Sequence, residues 1–218
     1  MNKRVFGWFE VVFDVLYLCA ALITGLYILS QATQQVQFLA GIMALVLAGG
    51  DAFHLVPRII AAVTGSERKL QKALGFGKFV TSITMTVFYA LLWHIGVLLF
   101  SPEAAAFGTA IVYALAAMRI GLCFSRRNRW FDEAPPVNWA VYRNIPFVLL
   151  GGAVALLFGL NAQAVSDLRW MWLAIALSFA FYMPVVLFAS KNRKLGMLML
   201  PKTCAYLWIL FMYAGAFR

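Results

Sequence analysis

Seven long apolar runs, separated by short polar breaks, set the pattern of the chain. They predict helices near residues 5–30, 37–63, 78–100, 104–124, 142–161, 168–190 and 195–217. Each run matches the ~20 residues a helix needs to cross the hydrocarbon core of a bilayer. The expected fold is therefore all-α, an integral membrane bundle of about seven transmembrane helices forming a single domain over residues 1–218. The polar breaks carry a second pattern. Basic residues crowd every other one: Lys3 and Arg4, then Arg68, Lys69, Lys72 and Lys78, then Arg126, Arg127 and Arg129, then Lys191, Arg193 and Lys194. The intervening breaks hold none, apart from Arg169 and the terminal Arg218, so twelve of these residues fall on one side and two on the other. The positive-inside rule then puts the N-terminus in the cytoplasm and the C-terminus outside, which only an odd number of spans allows.

Composition sharpens this picture. At 64% hydrophobic and 12% charged, with a mean hydropathy of +0.85, the chain is far more apolar than soluble domains, which excludes a water-soluble fold. A net charge of +10 would suggest nucleic acid in a soluble protein; here it reflects basic loops held inside the cell, and no nucleic-acid partner is expected. The expected location is a bacterial inner (plasma) membrane, with membrane lipids as partners and the oligomeric state left open. Cys19, Cys123 and Cys204 lie in apolar segments without metal-type spacing. Lys3 and Arg4 ahead of an apolar stretch resemble a signal peptide, but Glu10 and Asp14 interrupt it, and it reads as a first span. Trp8, Trp130, Trp139, Trp170 and Trp172 fall close to predicted helix ends, as interfacial anchors do. The longest break, Ser125 to Val141, contains Pro135 and Pro136 and reads as a connector, with an inner vestibule as the alternative. No internal repeat is evident, which weakens a transporter built from inverted halves.

Charged side chains inside spans are costly, and each is a candidate functional group unless snorkelling or pairing accounts for it. Asp51 lies ~18 Å from the nearer end of the second predicted helix, too deep to snorkel. His54 follows at i+3 and Arg58 at i+7, so the three share one face. A carboxylate beside an imidazole suits general acid–base work, and a guanidinium suits a phosphate or carboxylate. Asp51 and His54 are therefore the catalytic candidates, set against a structural polar network with Arg58 reaching the surface. The candidate binding residues are Asp14, Arg58, Ser82, Tyr89, Arg119, Tyr182, Lys202 and Tyr206, all read in the same half of the membrane. Arg58 or Lys202 would offset the Glu10 and Asp14 carboxylates on helix 1. Ser82 reads equally as a helix-packing hydroxyl, Lys202 as a snorkelling side chain, and Gly49 and Gly50 as points of close helix approach. His94 falls in the opposite half from His54, which argues against shared metal ligation, and no cofactor or metal is expected.

Three stretches resemble the lysoplasmalogenase family of multi-span membrane hydrolases, which cleave the vinyl-ether bond of lysoplasmalogens. Gly50-Asp51 after an aliphatic run resembles that family's Gly-Asp element. Gly75-Phe76-Gly77-Lys78-Phe79 with Tyr89 is similar to its glycine-rich start of the following span, and Pro201 with Tyr206 after a basic loop is similar to its ending. The resemblance implies a hydrolase of ether lysolipids in which Asp51 handles the proton, His54 assists, and Arg58 or Lys202 holds the headgroup phosphate. The family has a second acidic residue late in the chain, where this sequence reads Tyr182-Met183-Pro184, and eight spans where this pattern gives seven. The alternative is a proton-coupled transporter or a binding protein for a small anion or lipid, using the same pocket. A retinal photoreceptor fits less well: the orientation is reversed, and Leu198 stands four residues before Lys202 where an acid would be expected.

The loop reading has a direct test. Reporter fusions at Glu67 to Lys78, Ser125 to Asn138 and Lys191 to Lys194 should report the cytoplasm. A cysteine introduced at Gln71 should stay unlabelled by an impermeant reagent in intact cells, and labelling there would reverse the topology.

Overall fold

The computed structural model describes residues 3–103, 105–188 and 192–217. Its long helices are α1 (Lys3–Ser30), α2 (Gln35–Thr64), α3 (Glu67–Phe100), α4 (Ala105–Phe124), α5 (Val137–Leu160), α6 (Met171–Phe188) and α7 (Met199–Ala216). Short 3-10 turns at Arg126–Asn128, Ser166–Leu168 and Arg193–Leu198 join them, and the described residues contain no strand. Seven helical segments are long and apolar enough to cross a membrane, in keeping with a polytopic membrane protein.

Local chemistry sets several boundaries. The Gln37 side-chain oxygen accepts from the backbone N–H groups of Thr33 (2.7 Å) and Gln34 (3.0 Å), capping the start of α2. Gly65, in the left-handed region at φ 67°, ends α2. Ser101 and Pro102 stop α3: the Ser101 N–H closes back on the Val97 carbonyl, and the proline ring prevents continuation.

Two helices begin earlier than their apolar runs. α3 starts at Glu67 instead of Lys78, so the expected loop is a helical extension. Leu70 and Leu74 turn inward at i, i+4 while Arg68, Lys69 and Lys72 are exposed. The Gln71 amide donates to the Asp132 carbonyl (2.9 Å) and ties this extension to the loop before α5. α5 starts at Val137, directly after Pro135 and Pro136, instead of residue 142. Hydropathy finds the apolar part of a helix, whereas backbone hydrogen bonding carries the helix on until a proline or glycine stops it.

Consecutive helices are neighbours round the bundle, and α7 closes it against α1, α2 and α6. Leu47, Phe88, Leu92, Phe147, Ile175, Leu210 and Tyr213 fill the interior, while Leu16, Ile23, Phe107, Leu156, Leu160 and Phe211 point outward. α2 and α3 approach closely at two glycines. A Cβ at Gly50 would collide with the Thr84 side chain, and one at Gly77 with the Phe53 carbonyl and the His54 Cα. Gly49, by contrast, faces open space.

Gly77→Ala should therefore lower stability by ~1–3 kcal/mol, the usual cost of overpacking against backbone that cannot move aside. Gly49→Ala should be neutral or slightly stabilising. Thermal unfolding of both variants in detergent checks the pair.

Candidate functional site

On α2 the polar residues Asp51, His54 and Arg58 recur at i, i+3 and i+7, and on α1 Glu10, Asp14 and Tyr17 recur at i, i+4 and i+7. Because α1 and α2 run antiparallel, these two stripes meet in opposite order. Arg58 donates to the Glu10 carboxylate near one end, and the Tyr17 hydroxyl donates to Asp51 Oδ2 at 2.6 Å near the other. Fixing both ends brings Asp14 level with His54 between them. Tyr17 and Asp14 are buried, whereas Arg58 and Glu10 are partly exposed.

This paired face forms one wall of a cavity of about 610 Å³. α1 contributes Glu10 and Asp14, α2 contributes Asp51, His54 and Arg58, α3 contributes Lys78 and Thr81, and α7 contributes Lys202 and Thr203. The cavity runs from Asp51 past Ala62 to Glu133 and Gly196, at the end of the bundle that carries the basic loops. Along α2 this is a depth of ~16 Å.

The cations of the cavity are not equivalent. Arg58 is already neutralised by Glu10. Among the described residues Lys202 and Lys78 have no carboxylate within ion-pair distance, and Asp14 has no cation within it. Lys202 is buried, with its ammonium 4.8 Å from the ring centre of Tyr182 and 5.0 Å from that of Tyr206. His54 is held without a partner on its buried Nδ1. The site thus offers the carboxyl groups of Glu10, Asp14, Asp51 and Glu133, an imidazole and unpaired ammonium groups around one space: proton donors and acceptors together with positive charge for an anion.

Five of the ten candidate residues, Asp14, Asp51, His54, Arg58 and Lys202, line this cavity. The other five lie elsewhere. The Ser82 hydroxyl donates to the Lys78 carbonyl one turn back (2.8 Å), as a helix hydroxyl commonly does. Tyr89 is buried with its hydroxyl 2.8 Å from Ser178 Oγ, and Tyr206 is buried edge-on to Phe88. Tyr182 donates to Asn144 Oδ1 (3.1 Å). Arg119 stacks on Phe147 in the space between α4 and α5, with its guanidinium carbon 3.2 Å from the ring centre. Lys202 joins the two regions, since it lines the cavity and its ammonium lies over the rings of Tyr182 and Tyr206.

Tyr17 is not among the candidate residues that the sequence singles out. Its spacing from Glu10, mirrored in reverse by Asp51 to Arg58, was the available signal. Glu133 reaches the cavity from a loop and has no such signature.

A double-mutant cycle on Tyr17→Phe and Asp51→Asn measures the bond between the two helices. Coupling of ~1–3 kcal/mol in unfolding free energy is expected for a partly buried hydroxyl–carboxylate pair. Additive effects would mean that the two side chains act independently.

Compared with protein-family models, with curated proteins and with solved structures, the chain matches none.

Proposed function

We propose that the protein hydrolyses the vinyl-ether bond of single-chain ether phospholipids, taken from the membrane into the Asp51 cavity. The observation that carries this reading is that Asp14 and Asp51 line one cavity. Asp14 comes from α1 and supplies the second carboxyl group that the Tyr182-Met183-Pro184 segment lacks. A volume of about 610 Å³ lies within the range of small-molecule pockets. Apolar Leu55, Leu74, Met197 and Leu200 share its lining with the charged groups, which suits a ligand with a headgroup and a chain. With the N-terminus inside, the cavity would open toward the cytoplasm.

Vinyl-ether hydrolysis needs a proton on one carbon and water on its neighbour. A carboxyl group of the Asp14/Asp51 pair gives its proton to the carbon β to the ether oxygen, leaving an oxocarbenium ion. The other carboxylate takes a proton from water as the water oxygen bonds to the α carbon. The hemiacetal then collapses to an aldehyde and the glycerophospho alcohol, and the proton count closes. Asp51, oriented by Tyr17, is the principal acid–base group, with His54 beside it to relay protons. Lys202 and Lys78, free of carboxylate partners, are the cations that face the phosphate; Arg58, paired with Glu10, adds less charge.

Asp51→Asn preserves shape and hydrogen-bonding capacity but removes the titratable group. Turnover of a lysoplasmalogen by the purified variant should fall by ~10²-fold or more while the protein stays folded. Asp14→Asn should also impair turnover. Wild-type protein that cleaves no lysoplasmalogen would overturn the hydrolase reading. If it instead supports pH-dependent uptake of an anion, abolished as a pH dependence by Asp51→Asn, the transport alternative takes its place.

A further inference from the structure

The acids and the unpaired arginines occupy different sides of the bundle. Within the membrane-crossing stretches Glu10 and Asp14 belong to α1 and Asp51 to α2. α4 carries one charged residue, Arg119, α5 carries one, Arg143, and α6 carries none. Arg119 is 2% exposed, and its Nε and Nη1 atoms have no hydrogen-bond partner. Neither arginine has a carboxylate within ion-pair distance among the described residues. Two guanidinium groups in an apolar region with no acid opposite them are expensive, because neither loses its proton at any ordinary pH.

The surroundings hold both groups in place without neutralising them. The Arg119 guanidinium carbon lies over the Phe147 ring. Arg143 lies over Trp130, its guanidinium carbon 4.2 Å from the ring centre, and donates to Asn128 Oδ1 at 3.0 Å. The Trp130 indole N–H is fixed on the Cys123 carbonyl (3.0 Å). Since Cys123 follows Arg119 by one turn and Arg143 precedes Phe147 by one turn, the antiparallel pairing of α4 and α5 sets Arg143 about one turn nearer the basic end than Arg119. The ring contacts use no N–H group: Nε and Nη1 of Arg119 remain without an acceptor, and of Arg143 only Nη1 is given to Asn128.

We propose that Arg119 and Arg143 together bind one phosphate group, admitted from the basic end of the bundle at a site separate from the Asp51 cavity. Two stacked guanidinium groups one turn apart supply several in-plane donors to a tetrahedral oxyanion, and a phosphate charge of about −1.5 to −2 balances both cations. Arg143, half-buried beneath the Arg126–Asn128 turn, stands on the side of entrance, and the buried Arg119 closes the inner end. The phosphate is either free inorganic phosphate or the headgroup of a lysolipid, and the two are separable by experiment.

The full chain in a neutral detergent, at constant ionic strength set with chloride, is titrated with inorganic phosphate, with lysophosphatidic acid and with monoacylglycerol, while thermal unfolding is followed. A saturable rise in Tm with inorganic phosphate identifies a free-phosphate site. A rise with lysophosphatidic acid but with neither of the other two identifies a headgroup site. Arg119→Gln should abolish whichever response the wild type shows, and Arg143→Gln should weaken the apparent affinity about tenfold or more. Should Arg119→Gln fail to fold, Arg119→Lys carries the test, because it keeps the charge while losing the planar donor array and should also bind about tenfold more weakly. A wild type indifferent to both phosphates, or Arg119 variants that respond as the wild type does, overturns the site. Asp51→Asn should keep the phosphate response, so wild-type protein that binds phosphate but cleaves no lysolipid loses only the hydrolase reading.

Discussion

A carboxylate this far inside an apolar bundle has to be met by a partner, and the Tyr17 hydroxyl on Asp51 meets that need. The bond does more than satisfy one group. Together with Arg58 on Glu10 it fixes the register of α1 against α2, and a shift of one residue would turn each polar stripe from its partner toward apolar neighbours. The position of Asp14 follows from that register, since it lies between the two fixed points and therefore faces the same cavity as Asp51.

Much of the fold could be read from the chain. Apolar runs located all seven helices, because crossing a hydrocarbon layer demands a length and composition that few soluble helices share. What escaped was the continuation of helices into polar sequence, as at Glu67–Gly77, where the outward charges of an amphipathic turn look like a loop to a hydropathy reading. The same effect hid Arg143: with α5 read from residue 142, it fell at a predicted helix end and was not among the candidate residues. In the structure it is a turn and a half inside a helix that begins at Val137.

The site was legible on α1 and α2 and less so beyond them. Asp51, His54 and Arg58 lie on one helix, so their common face follows from the 3.6-residue period alone. Placing Arg119, Tyr182 and Lys202 relative to that face requires knowing how α4, α6 and α7 are rotated, and rotation depends on packing that no single helix encodes. The depth of Arg119 and Tyr182 was readable from their distance to helix ends; the side of the bundle was not. Depth without rotation merges two polar regions into one.

The glycines of Gly75-Phe76-Gly77 have a physical cause in the packing of α3. A Cβ at Gly75 would strike the Trp130 carbonyl, and one at Gly77 the α2 backbone at Phe53 and His54. The first glycine lets α3 carry the loop that positions Trp130 under Arg143; the second lets α3 press against the helix that bears Asp51 and His54. One short segment of small residues thus bears on both charged regions, and Lys78, next in the chain, lines the cavity directly after it. A larger residue at Gly75 would displace the Trp130 platform first, and one at Gly77 would displace the α2 backbone at Phe53 and His54, so the two regions can be perturbed separately from neighbouring positions.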